Sequence, residues 1–303
     1  MKKIIFLMSA VLIAVTITSC GQNGKKNTDK SEDIKDQKQG TNDEGGAQPL
    51  AGYDLSSPVK YGMPADLQEI SGIAFNDGDS KSLYAEQDED GMIYYLHLGD
   101  KAAKSAKFAK HGDYEDIAVG NNQAVILRSD GEFHSFPLSE VASGQIKSQK
   151  VKHLMPAGEY EAMEFDKDTK KLYVLCKQCE VDKSSNNNSG YIFDLNTDGS
   201  ITKTGDFNII MKDPSDSEKS KFKFRPSAFA KNPVTKQWFI LSSINKILVV
   251  ADENWKVQAS YPLKGFLQPE GIAFDSTGNM YISNEGDELE SGNVMLFKYT
   301  GQK

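Results

Sequence analysis

Beyond residue 50 the chain alternates short apolar runs with polar turns, and one run recurs. Glu69-Ile70-Ser71-Gly72-Ile73-Ala74-Phe75 returns as Glu115-Asp116-Ile117-Ala118-Val119 and as Glu161-Ala162-Met163-Glu164-Phe165. A degenerate copy, Ser227-Ala228-Phe229-Ala230, precedes Glu270-Gly271-Ile272-Ala273-Phe274-Asp275. Aligning positions 71, 115, 161, 227 and 270 sets the copies 44, 46, 66 and 43 residues apart. Each copy is followed by a second apolar strand (82–85, 124–127, 171–175, 238–241, 279–283) and a third (92–96, 132–136, 191–195, 246–250, 294–299). Fourth strands are weaker, as at 203–207 and 257–261. Short strands with turn signals between them, repeating at this period, predict four-stranded antiparallel blades and hence an all-β, single β-propeller. Five copies predict five blades. Six would require one more, hidden in the long interval between 161 and 227, where 179–190 and 212–221 read as polar loop insertions. The last copy leaves room for only three strands before Lys303. The fourth is expected from the segment around Tyr53–Tyr61, so that both ends of the chain close the ring in one blade and remove its free edges.

The first fifty residues follow a different pattern. Met1-Lys2-Lys3 is a positive start, and 4–17 is a largely apolar run of 14 residues, short of the roughly 20 needed to span a bilayer but suited to a secretory signal. It ends in Ile17-Thr18-Ser19-Cys20-Gly21. This resembles the lipobox of bacterial lipoproteins, which implies cleavage after residue 19 and lipidation of Cys20. An ordinary signal peptide with a coincidental cysteine is the alternative. Residues 21–48 are almost devoid of apolar side chains, so burial cannot offset their ordering entropy, and a disordered tether spanning roughly 30 Å is expected. The expected division is a signal peptide at 1–19, a lipidated Cys20 and tether at 20–50, and a propeller at 51–303. The domain would then be held at a plasma or outer membrane, in the periplasm or at the cell surface.

Charge follows the same division. The whole chain carries −8, from 35 Lys and Arg against 43 Asp and Glu. The first fifty residues hold 7 Lys and 6 acids, so the remainder carries all of the acidity, at −9. Such a surface repels phosphate backbones and argues against a nucleic-acid partner.

Three motifs carry a resemblance over about residues 52–300: 69–75, Asp113-Tyr114-Glu115-Asp116-Ile117-Ala118-Val119, and Gln268-Pro269-Glu270-Gly271-Ile272-Ala273-Phe274-Asp275, with Tyr281-Ile282-Ser283-Asn284-Glu285-Gly286 adding to them. Their ordered set resembles the SdiA-regulated, YjiK-like family of exported bacterial β-propellers. The resemblance implies a propeller linked to calcium and distantly similar to propeller phytases and esterase-like propellers, without fixing a reaction. The fourth copy departs from the acidic pattern, with Arg225-Pro226-Ser227 where the others carry an acid.

In a propeller the first strand of each blade lines the channel, and positions two apart share a face. Glu69, Glu115, Glu161 and Glu270, with Asp113, are therefore expected around one mouth, joined by acidic loops carrying Asp88, Asn284 and Glu285. Carboxylates gathered on one axis repel unless a cation sits among them, and oxygen ligands suit Ca²⁺ better than Mg²⁺. The alternative is that these glutamates accept hydrogen bonds from neighbouring blades' amides and hold the ring without metal. Arg225 either neutralises adjacent glutamates or grips a ligand's phosphate or carboxylate. Cys176-Lys177-Gln178-Cys179 reads as a disulfide in an exported protein, with free thiols or half of a metal site as alternatives. The four histidines show no ligand spacing, and no catalytic elbow, phosphate loop or metalloprotease helix is found. Three functions remain: a calcium- or ligand-binding module taking a small anion; a metal-assisted phosphatase, phytase-like or esterase-like hydrolase; and an interaction scaffold that uses the outer blade surfaces. Oligomeric state is left open.

Overall fold

The computed structural model describes residues 50–183, 187–211 and 222–301. The signal peptide, Cys20, the tether through residue 49 and the 212–221 insertion lie outside the described residues. Among the described residues no helix is long and apolar enough to cross a membrane.

The first strand among the described residues is β1 (Val59–Gly62). Blade one is β2 (Ile70–Phe75), β3 (Leu83–Gln87), β4 (Met92–Leu96) and β5 (Lys104–Lys107). Blade two is β6 (Tyr114–Gly120), β7 (Gln123–Arg128), β8 (Phe133–Pro137) and β9 (Gln149–Val151), with a short helix α1 (Leu138–Ser143) before its last strand. Blade three is β10 (Gly158–Asp166), β11 (Lys171–Cys179), β12 (Asn187–Leu195) and β13 (Ile201–Ile210). Blade four is β14 (Ala228–Lys231), β15 (Trp238–Ser242), β16 (Ile247–Ala251) and β17 (Val257–Pro262). Blade five is β18 (Pro269–Phe274), β19 (Met280–Asn284) and β20 (Asn293–Phe297), completed by β1. The protein is thus a five-bladed propeller. Its ring closes where Tyr61 pairs with Val294 and Val59 with Leu296, so the N-terminal strand covers what would be an open edge.

The long third interval holds longer strands rather than a sixth blade. The second strand expected at 171–175 runs on to Cys179, and Asn187–Gly190, expected in a loop, is paired in β12. The reason is local: the Asn188 amide is buried and donates to the carbonyls of Cys176 (3.0 Å) and Phe224 (3.1 Å). A polar residue that satisfies two carbonyls sits inside a strand without cost to the ladder.

Apolar side chains pack between blades rather than on the axis. Ile93 and Phe108 of blade one meet Ile117 and Phe136 of blade two, and Tyr173 of blade three meets Phe229 and Trp238 of blade four. The inner strands β2, β6, β10, β14 and β18 touch in succession and back to the first. Polar bonds cross all five seams. Ser71 Oγ donates to the Glu115 carbonyl (2.9 Å), and Met163 N–H to Asp116 Oδ2 (2.7 Å). Lys231 Nζ meets Asp166 Oδ2 (3.0 Å), Ser227 Oγ donates to the Pro269 carbonyl (3.0 Å), and Ser283 Oγ to the Ser71 carbonyl (2.6 Å). Glycine in the repeated motif answers to this close approach: a Cβ on Gly72 would lie 2.5 Å from Asp116 Oδ1 and 2.6 Å from the Ile117 nitrogen.

Candidate functional site: a charge-divided channel mouth

The inner strands are irregular at their starts. Register shifts fall between Ile70 and Ile73, Tyr114 and Asp116, Tyr160 and Ala162, and Pro269 and Gly271. Each spans the repeat position, so a bulge marks Ser71, Glu115, Glu161 and Glu270. A bulge breaks the alternation of side chains and re-aims one residue. The loops joining second and third strands reach the same rim: Tyr114 N–H donates to the Asp88 carbonyl (2.8 Å), Tyr160 N–H to that of Ser129 (2.9 Å), and Gly286 N–H to that of Gln68 (2.8 Å). Inner-strand starts and acidic loops therefore form one mouth.

On the side made by blades one, two and five, carboxyls stand in each other's fields. Burial raises Glu115 to about 8, with Asp113, Glu270 and Asp88 adding to the rise and Lys177 opposing it. Burial also raises Glu285 to about 8, with Glu270, Asp88 and Glu69 contributing. Asp88 is raised to about 6 by burial and by Glu69, Glu89 and Asp113. Glu270 is raised by burial, against hydrogen bonding from Ser243 and the attraction of Lys177. Glu69 and Asp113 are at the exposed rim, where Asp113 accepts from the Ser129 hydroxyl. Asn284, next to Glu285 in sequence, is buried, and its Oδ1 has no hydrogen-bond partner among the described residues.

The opposite side is basic. Lys177 contacts Glu161 and lies 3.2 Å from Glu159, so Glu161 meets an ammonium before it meets the other glutamates. Arg225 stands at the start of blade four, half-buried. Its side chain pairs with no carboxylate among the described residues. Lys177 is a candidate site residue that the sequence motifs do not single out. Its position between two cysteines drew attention to the sulfurs, whereas the cross-strand partners Glu159 and Glu161 become visible only when β11 is extended through Cys179.

Two further carboxylates are buried: Glu86, in the acidic segment after the second strand of blade one, and Asp116, which the repeat does not single out. Glu86 is fully buried: Oε1 accepts from Gly72 N–H (2.7 Å), while Oε2 has no partner. Burial holds its carboxyl well above the usual range, helped by Asp116, Glu115 and Asp88. Asp116 is likewise raised well above its usual range by burial, against the amides of Met163 and Ile117 that it accepts. The interblade amide bond expected of the glutamates thus falls to Asp116, one residue on.

The carboxylates are near but not caged. No three of those at the mouth bring their oxygens within 4.8 Å of one another; among the described residues the set that does is Cys176, Cys179 and Asp182. Cys176 and Cys179 are joined in a disulfide, with Cα atoms 6.0 Å apart, which leaves no thiolate to hold a metal.

A family model described as SdiA-regulated matches residues 53–288. The chain belongs to the SdiA-regulated family. No curated protein matches it in sequence. Among solved structures, glutaminyl cyclase from Myxococcus xanthus is similar at a TM-score of 0.53 and 11% identity, over 80% of this chain and 95% of that one. A luciferin-regenerating enzyme aligns at 0.50 and 11%, over 81% and 96%. Regucalcin from Agrobacterium tumefaciens, titled a calcium-binding protein, aligns at 0.49 and 12%, over 84% and 96%. At these identities the likeness speaks to the propeller fold alone.

Proposed function

We propose that this member of the SdiA-regulated family is a lipid-anchored binding module of the bacterial cell envelope, tethered through Cys20, whose channel mouth takes Ca²⁺ and through it a small anion. One observation carries the reading: two buried carboxylate oxygens, Glu86 Oε2 and Asp88 Oδ1, have no hydrogen-bond partner among the described residues. Buried polar atoms left without a partner are costly, and here they stand among carboxyls that raise one another. The donors are all oxygen, which suits a hard cation of flexible coordination. Glu115, Glu270, Asp88 and Glu285 would supply the ligands, drawn inward from their present spacing, with Glu69 and Asp113 at the entrance. Glu161 is held by Lys177 and would join only if that contact opened.

Calorimetric titration of Ca²⁺ into chelator-treated protein tests this. Binding is expected to release protons between pH 6 and 8, read as a heat that varies with the buffer's ionisation enthalpy. Neither heat nor thermal shift at millimolar Ca²⁺ would refute it. A hydrolase is the second reading. It is supported by Glu115, whose carboxyl at about 8 stays protonated near neutrality, as a general acid requires. Calcium-dependent turnover of phosphate or carboxylate esters, abolished by Glu115→Gln, would favour that reading over simple binding.

A further inference from the structure

We infer that the cavity between blades three and four is an oxyanion site that takes a phosphate group. The cavity has a volume of about 210 Å³, and its lining, among the described residues, includes Lys177, Lys183, Lys223 and Arg225 with one carboxylate, Asp182. Among the described residues these four cations stand out in a chain of net charge −8; Lys177 and Lys183 are paired with glutamates outside the lining, and Arg225 is not. The carboxylate is already engaged: Asp182 Oδ2 accepts from Ser189 N–H (2.9 Å) and Oδ1 from the Ser189 hydroxyl (2.8 Å). Lys177 is steadied by Glu159 and Glu161, and Lys183 lies 2.9 Å from Glu180.

Arg225 is the element that gives the cavity its chemistry. Its main chain is fixed on both sides, its N–H donating to Asn245 Oδ1 (2.9 Å) and its carbonyl accepting from the Ser242 hydroxyl (2.6 Å). Asn245 also donates to the Lys223 carbonyl (3.2 Å), so one side chain clamps the whole 223–225 segment. The guanidinium itself makes no hydrogen bond or ion pair with any described residue. A planar fork of donors held on a fixed backbone, with lysines beside it, matches a phosphate dianion better than a singly charged carboxylate. The volume admits a phosphate with a short substituent. The site occupies blades three and four, facing the carboxyls of blades one, two and five across the mouth, where Lys177 acts on both Glu115 and Glu270, and its own donors do not require calcium.

The test is titration of inorganic phosphate, glycerol 3-phosphate and acetate into the chelator-treated full chain at constant ionic strength. Both phosphates are expected to bind, with acetate weaker by about tenfold or more. Tighter binding of glycerol 3-phosphate assigns the group to a larger ligand, and tighter binding of inorganic phosphate to the free ion. Arg225→Ala is expected to lower affinity by about tenfold or more, and Arg225→Lys to restore part of it. Arg225→Gln serves in place of alanine if the alanine variant melts early. The inference is overturned if neither phosphate binds at millimolar concentration, or if Arg225→Ala and Arg225→Gln bind as the wild type does. It also falls if phosphate binds only with Ca²⁺ and independently of Arg225, an outcome that leaves the calcium reading of the mouth intact.

Discussion

Glu115→Gln turns the crowding of carboxyls at the mouth into a measurable stability. The Glu115 carboxyl titrates near its ordinary 4.5 in the unfolded chain and at about 8 in the folded one, chiefly through burial. Between those values the native state holds the proton that the unfolded state has lost. Stability therefore falls as pH rises from about 4.5 to about 8 and levels off above, where both states are ionised. At about 1.4 kcal/mol per pH unit, that span sets a ceiling of about 5 kcal/mol. Glu115 is not fully enclosed, and the charges of Asp113, Asp88 and Glu270 relax as it ionises, so about 2 kcal/mol is a realistic share. Glutamine keeps the shape and removes the charge. In chelator at pH 8 the variant should melt roughly 4–8 °C above wild type, with the gap closing towards pH 4.5. His134 gives an opposite slope lower down. Burial, against the pull of Glu132, depresses it to about 4, so acid costs stability between about 6.5 and about 4. Between pH 6.5 and 8 His134 no longer contributes, and Glu285, also raised to about 8, titrates in wild type and variant alike. Scanning calorimetry across that window, with and without Ca²⁺, is the assay. Ca²⁺ should raise and flatten the wild-type curve and leave the variant nearly unchanged. A variant no more stable than wild type at pH 8 without the ion would refute the reasoning, because Glu115 would then be supporting the fold rather than straining it.

Gly72→Ala should cost about 2–3 kcal/mol, read as a lower denaturation midpoint, since its Cβ would press on Asp116 Oδ1 and the Ile117 nitrogen at 2.5–2.6 Å and neither is free to move. Loss of the disulfide through Cys176→Ser with Cys179→Ser should cost about 2 kcal/mol by the loop-closure estimate for so short a ring. It should also loosen Lys177 from Glu161, shifting the pH dependence of calcium binding. A chain beginning at residue 64 lacks β1, so β20 becomes a free edge. Size-exclusion chromatography should then show association, and a monomer as stable as the full chain would contradict closure of the ring by that strand.

The fold was legible because a propeller writes its architecture into spacing. Ser71, Glu115, Glu161, Ser227 and Glu270 occupy one repeat position, and five blades follow from five such positions. The closing strand could be inferred from the three strands left after Glu270, and it is found at Val59–Gly62. The weak outer strands β5 and β9 were not legible, because Lys104–Lys107 and Gln149–Val151 are largely exposed and carry no apolar alternation. Blade three was misjudged for the converse reason. Its strand residues Gln178, Asn187 and Asn188 are polar, and only the buried amide of Asn188, bonded across to blade four, keeps the segment in the sheet.

The site was legible in its acids and not in its division. Sequence alignment collects carboxylates at equivalent positions, and equivalence suggests a symmetric ring around one ion. What breaks the symmetry is not in the repeat. Lys177 comes from a second strand lengthened by four residues, and Arg225 stands where the repeat loses its acid. Together they turn the blades three and four side positive while Glu115, Glu270, Glu285 and Asp88 remain crowded opposite. A mouth with carboxyls raised on one side and, on the other, a guanidinium with no partner among the described residues is built for two unlike charges. A cation alone would relieve the first side and leave Arg225 idle, and an anion alone would do the reverse. Cooperative uptake of the two follows from that arrangement: phosphate binding measured with Ca²⁺ present should be tighter than without it, and a coupling of the opposite sign would mean that the two sides serve separate ends.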